Sequence, residues 1–210
     1  MKRLLLTLFA SWTYLLAQDG SAFLEPHRPY SIGDYKQFVY KKLGMPRSKC
    51  SMFVFPNIFG SEYSINIFEK TSASGETTYR IEYAIASRLI WQTIPFATGK
   101  NSLKAYNAIK VKRVAAELPT SLAQKIIQVW ESGTKATRYD NQHHGLDGVS
   151  YDFAFERLYY GTAWCPERGY PRFLRDIGEE LVLFVQATST NRQQHLARIN
   201  RLIIASQLPK

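Results

Sequence analysis

Histidine and aspartate side chains form one polar cluster in this sequence. His143 and His144 are adjacent, and Asp140 and Asp147 flank them. Imidazole and carboxylate groups bind divalent cations, but adjacent histidines usually point apart, whereas HxH and HExxH spacings bring two rings to one ion. Neither spacing occurs here, so we predict a solvated loop and no metal site. If the protein were a hydrolase, its active site would lie in this loop, at His143, His144 and Asp147.

Nucleophilic and paired-carboxylate chemistry have weak signals. The chain has no GxSxG elbow, and the surroundings of Cys165 read TAWCPERG, unlike those of a papain-type nucleophile. Glu179 and Glu180 with Asp152 could supply the two carboxylates of glycoside cleavage, although adjacent helical glutamates are typical of a solvated face. A glycine-rich phosphate loop is also lacking. The sequence therefore predicts no catalytic residue and no cofactor.

Basic residues are densest in the middle of the chain, at Lys100, Lys104, Lys110, Lys112 and Arg113. A strand over 109–114 would place Lys110 and Lys112 on one face, and together with Arg113 they would form an anion-binding ridge. The alternative is that these lysines lie on the solvent side of an edge strand, where they discourage the addition of unwanted strands.

The first residues have the order of a secretory signal peptide. Lys2 and Arg3 precede an apolar run from Leu4 to Leu16, and small residues follow. The run is shorter than the roughly 20 residues of a relaxed membrane helix. We predict a signal peptide over 1–22, cleaved after Ala17 or Ala22, and a single domain over 23–210 that is periplasmic or secreted, with no stable membrane span after cleavage.

Charge and cysteine content extend this prediction. Loss of Lys2 and Arg3 lowers the basic residues from 27 to 25, against 17 acidic residues, which leaves a net charge of about +8. Such a charge favours an acidic protein or an envelope polyanion as partner, the alternative being that it only keeps the domain soluble, and export argues against nucleic acid. Cys50 and Cys165 are the two cysteines. In an oxidising compartment they predict one disulfide, the alternative being two separate buried thiols.

Hydrophobic periodicity indicates an α+β fold. Apolar alternation or short apolar runs predict strands near 50–55, 63–67, 79–85, 109–114 and 149–155. Helical spacing predicts a helix that stops at Gly44, one that stops at Gly133 and two more at the end of the chain. We expect an antiparallel sheet of about five strands, packed on one face by three to four helices.

The segment from Gly145 to Gln186 resembles a family of small exported bacterial proteins of uncharacterised activity. That family has a DGxxYxF strand, a GxxW[SC]P turn and an LxxIGxxL helix. The matching residues are Asp147, Gly148, Tyr151 and Phe153, then Gly161, Trp164, Cys165 and Pro166, then Leu174, Ile177, Gly178 and Leu181. The resemblance implies shared architecture and brings no activity. Each position also has a packing explanation, with Gly161 expected at a hairpin reversal and Gly178 at a close contact between helix and sheet.

These observations favour an exported cell-envelope protein that binds another molecule without catalysing a reaction, as an immunity protein or an inhibitor does. Small size, positive charge and the 13 tyrosines suit contact surfaces. The alternative is a hydrolase of envelope polymers that uses the loop at His143, His144 and Asp147.

Overall fold

The computed structural model describes residues 23–26, 34–44, 47–56, 60–93, 100–138, 148–156 and 158–207. Two predictions concern residues outside these ranges. They are the signal peptide at 1–22 and the polar loop with Asp140, His143, His144 and Asp147.

The chain has a mixed α/β fold with an open antiparallel sheet of seven strands. The strands are β1 (Glu25–Pro26), β2 (Cys50–Phe55), β3 (Tyr63–Thr71), β4 (Thr77–Ala86), β5 (Val111–Leu118), β6 (Ser150–Phe155) and β7 (Tyr159–Trp164). Their order across the sheet is β1-β7-β6-β2-β3-β4-β5. The antiparallel sheet is as predicted, but it is larger than the five strands expected, because β1 and β7 were not predicted.

Six helices pack against this sheet within the described residues. They are α1 (Asp34–Leu43), α2 (Ile90–Thr93), α3 (Lys100–Ala108), α4 (Thr120–Lys135), α5 (Gly169–Gln186) and α6 (Ser189–Ser206). Helices α4, α5 and α6 cover one side of the sheet, which we call the main face, and α1, α2 and α3 pack on the other side, the second face. The prediction that helices cover one face only is therefore wrong.

Strand β2 shows why both faces are covered. All six of its residues are buried. Met52 and Val54 belong to the core of the main face, whereas Phe53 and Phe55 belong to that of the second face. A strand that is buried at every position needs cover on both sides, because successive side chains point to opposite faces of the sheet.

The core of the main face is built around Trp130 of α4 and the apolar stripe of α5. Trp130 is 1% exposed and donates its indole N–H to the Ser51 carbonyl at 3.3 Å. Gly178 brings α5 close to the sheet, since a Cβ atom there would lie 2.5 Å from the Met52 sulfur. Fully burying one large apolar side chain contributes about 1.5–3 kcal/mol, so this layer supplies much of the driving force for folding.

Two glycines lie elsewhere than the sequence predicted. Gly133 is inside α4, which continues to Lys135, and it packs against Leu174. Gly161 lies inside β7 and not at the reversal, which is made by the turn after Phe155. A Cβ atom on Gly161 would lie 2.6 Å from the Leu24 Cβ, so this glycine allows β1 to approach β7.

The predicted disulfide is not formed, and both cysteines are free thiols. Cys50 pairs with Phe155 at one end of β6, whereas the Cys165 N–H bonds to the Val149 carbonyl at the other end. Six residues of extended chain separate the two positions by roughly 20 Å. A disulfide needs Cα atoms less than about 7 Å apart, so this register does not allow the bridge.

Among the described residues, no helix combines the length and the apolar character that a membrane crossing requires.

Candidate functional site

The predicted anion-binding ridge lies at the start of β5, the last strand of the sheet. Lys112 and Arg113 belong to β5, and Lys110 directly precedes it. Lys112 is opposite Ile85 on β4, so it points to the main face, whereas Arg113 is opposite Ala84 and points to the second face. Alternation therefore places Lys110 and Lys112 on one side and Arg113 on the other, so the three residues of the predicted ridge do not share one face.

Arg113 is held by polar contacts on the second face. Its guanidinium forms an ion pair with Glu82 and donates to the carbonyls of Lys42 at 2.9 Å and Leu43 at 3.4 Å. These carbonyls are at the end of α1, where unpaired C=O groups and the helix dipole favour a cation. Arg113 thus fixes the end of α1 to the sheet, and its side chain keeps 38% of its surface exposed on the second face.

Lys110 and Lys112 are joined by two further exposed cations, Arg88 and Lys104. Arg88 follows Ser87, whose N–H donates to the Lys110 carbonyl at 2.8 Å. Lys104 lies on α3, which ends two residues before Lys110. We call these four residues the basic edge; Lys110 and Lys112 point to the main face, whereas Lys104 belongs to a helix of the second face.

The basic edge is not neutralised by the rest of the described chain. No described carboxylate forms an ion pair with any of its four side chains, whereas Lys49 and Arg80 elsewhere on the sheet are paired with glutamates. Uncompensated cations of one sign at the same edge raise the local potential and attract anions over about 8 Å at physiological salt. This arrangement is suited to electrostatic binding.

A buried ion pair that the sequence did not predict lies on the second face. Asp152 of β6 is 3% exposed and accepts hydrogen bonds from Lys36 Nζ at 2.9 and 3.0 Å, from Thr162 Oγ1 at 2.7 Å and from the Tyr40 hydroxyl. Burial, followed by the charge of Asp152, raises the pKa of Tyr40, so its hydroxyl remains a donor. The hydrogen bonds to the Asp152 carboxylate come from side chains of α1 and β7, and its role is to hold α1 on the sheet.

Glu62 has a similar structural role and was also not predicted. It is fully buried, and its carboxylate accepts from the Tyr35 hydroxyl at 2.8 Å and from the backbone N–H groups of Ile90 at 2.8 Å and Trp91 at 2.9 Å. A carboxylate at these N–H groups satisfies donors that the first turn of α2 leaves unpaired. Glu62 therefore ties both α1 and α2 to the start of β3.

The carboxylate pair considered for glycoside cleavage is not assembled. Glu179 accepts from the Tyr151 hydroxyl at 2.7 Å on the main face, while Asp152 lies on the second face. Glu180 turns to α6, where it contacts His195 Nδ1 at 2.6 Å. The sheet separates Asp152 from both glutamates, so they cannot act on one substrate.

Cys165 occupies a turn, and none of the described residues lies at its sulfur as a catalytic base would. Its backbone has a φ of +40°, and its sulfur accepts from the Val149 N–H at 3.3 Å. In the residues that the structure describes, no three His, Cys, Asp or Glu side chains are grouped as a metal site would require.

A second surface feature lies on the second face near the turn between β3 and β4. It is a shallow depression of about 440 Å³. Its lining carries charges of both signs and comprises Phe68, Lys70, Thr78, Arg80, Glu82 and Glu117. Because these charges largely balance, the depression offers less attraction to an anion than the basic edge does.

No protein-family model matches the chain, and comparison with curated proteins and with solved structures gives no match either.

Proposed function

We propose that this chain is an exported cell-envelope protein that binds an acidic protein or an envelope polyanion without catalysing a reaction, in the manner of an immunity protein or an inhibitor. Support for binding comes from one observation above all, the basic edge of Arg88, Lys104, Lys110 and Lys112. Support for export comes from the leader sequence at 1–22.

The distribution of the carboxylates strengthens this proposal. Asp152, Glu62 and Glu82 are engaged in contacts that hold helices to the sheet. These three carboxylates are thus used within the protein, whereas the cations of the basic edge remain exposed. A surface of this kind contributes to association rate and selectivity as well as to affinity.

Charge reversal tests the proposal. We expect Lys110→Glu/Lys112→Glu to bind immobilised heparin, as a probe of polyanion binding, at least about tenfold more weakly than the unaltered protein. This follows because each lysine near an anionic surface contributes about 1 kcal/mol. The matched control is Lys125→Glu/Arg201→Glu, which makes the same change in net charge on exposed positions of α4 and α6.

The two variants separate local from general electrostatics. If only Lys110→Glu/Lys112→Glu binds heparin more weakly, the basic edge is supported as the binding site. Equal weakening by both variants would show that only net charge matters, and no weakening by either would reject electrostatic binding.

A further inference from the structure

Strand β5 exposes one row of backbone hydrogen-bonding groups. The Ser87 N–H donates to the Lys110 carbonyl at 2.8 Å, and the Lys110 N–H donates to the Ser87 hydroxyl at 3.1 Å, so both groups of Lys110 point toward β4. Backbone direction alternates along a strand of an antiparallel sheet. The outward groups of β5 therefore belong to Val111, Arg113, Ala115 and Glu117, and no described residue pairs with them.

The side chains of these four residues all point to the second face, and their order is self-complementary. Arg113 and Glu117 lie at equal distances on either side of Ala115. If a second copy lies antiparallel with a two-fold axis at Ala115, the two alanines face each other. Arg113 of each copy is then directly opposite Glu117 of the other, an arrangement of opposite charges that stabilises cross-strand pairs.

We propose that two copies of this chain associate through their β5 edges in this register, which joins their sheets into one. Other registers are worse, since an axis at Arg113 or at Glu117 would place like charges opposite each other. Pro119 lies opposite Val111 in the proposed register and has no N–H, so the hydrogen-bond ladder ends there.

The edge lysines are compatible with this pairing. Lys112 is opposite Leu118 of the second copy and not opposite another lysine, and Lys110 lies beyond the paired residues. The lysines thus oppose pairing in registers that bring them together, while the register centred on Ala115 separates them. Of the basic edge, Arg88, Lys104 and Lys110 lie outside the paired segment, and Lys112 lies inside it with its side chain on the main face, away from Arg113 and Glu117. Dimerisation through β5 is therefore tested separately from polyanion binding.

The oligomeric state of the purified protein, produced from the full-length chain, tests this proposal. We expect light scattering with size-exclusion chromatography to show a dimer, and we expect Glu117→Arg to dimerise at least about tenfold more weakly, because it places two like-charged pairs across the axis. The control is Glu76→Arg, the same charge change at an exposed position on the turn between β3 and β4, which should leave the dimer unchanged.

A crosslink provides a second readout that does not depend on the folding of Glu117→Arg. In a Cys165→Ser background, Ala115→Cys should form an intermolecular disulfide on mild oxidation, because hydrogen-bonded pairs place Cα atoms about 5.5 Å apart. Ser74→Cys, on the exposed turn, should not crosslink. A monomer at all concentrations would overturn the proposal, and so would a dimer in which Ala115→Cys fails to crosslink.

Discussion

The ion pair between Lys36 and Asp152 offers the sharpest test of how the second face is held together. Asp152→Asn keeps the shape of the side chain but leaves the Lys36 ammonium without a counter-ion. Breaking a buried pair by removing one partner costs about 3–5 kcal/mol. The Lys36 side chain is 19% exposed and can recover some hydration, so we expect this substitution to lower the free energy of unfolding by about 2–4 kcal/mol.

Lys36→Met should cost at least as much, because the Asp152 carboxylate that loses the Lys36 ammonium is only 5% exposed. The double variant Lys36→Met/Asp152→Asn removes both charges, so its cost should be smaller than the sum of the two single costs by about 1–3 kcal/mol. Urea unfolding, with the slope compared between variants, measures all three values.

The control is Lys49→Met, which removes an ion pair with Glu69 and Glu156 whose side chains are 34% and 39% exposed. Exposed pairs contribute about 0–1 kcal/mol, so this variant should lie close to the unaltered protein. Additive costs at Lys36 and Asp152, or a cost of Asp152→Asn no larger than that of Lys49→Met, would refute the proposed role of the pair.

Three further predictions concern packing, tyrosine ionisation and the thiols. Gly161→Ala should lower the free energy of unfolding by about 1–3 kcal/mol in the same urea assay, because its Cβ would collide with Leu24; an unchanged midpoint would contradict this packing. Burial raises the pKa of six tyrosines above the unfolded value of 10.0, so their contribution to stability is complete below pH 10 and is lost as the pH rises further. The six are Tyr35, Tyr40, Tyr63, Tyr83, Tyr106 and Tyr151. Absorbance at alkaline pH should show that these phenols ionise only when the protein unfolds. Ionisation of all tyrosines near pH 10 in the folded protein would contradict this expectation. Without reductant, a thiol reagent should label only Cys165 in the folded protein, because Cys50 is buried and its burial raises the pKa of its thiol. After denaturation the reagent should label both cysteines, and no labelling in denaturant would reveal a disulfide.

The sequence predicted the antiparallel sheet from the alternation in β3 and β4, but it did not predict the second layer of helices. The signal for that layer was present in β2, because CSMFVF carries large apolar residues on both faces. Strand β7 was missed for a different reason. Gly161 interrupts its apolar pattern, and in a sequence such a glycine is read as part of a turn. Its place inside the strand is explained only by the structure, where Leu24 lies too close for a Cβ atom.

The candidate site was predicted in part. The density of lysines around Lys110 indicated a basic edge, and the structure adds Arg88 through the pairing of Ser87 with Lys110. The structure also shows that Arg113 contacts the end of α1. The residues around Arg113 in the sequence give no sign of this contact. Lys36 and Asp152 are 116 positions apart, and their contact depends on how α1 lies across β6, so no local pattern could reveal it.

The salt dependence of polyanion binding tests the central claim most directly. Each lysine that contacts the anion contributes about one unit to the slope of log Kobs against log salt concentration. We predict that Lys110→Ala/Lys112→Ala lowers that slope by about two for heparin, whereas Lys125→Ala/Arg201→Ala leaves it unchanged. Identical slopes for the unaltered protein and for Lys110→Ala/Lys112→Ala would contradict binding at the basic edge.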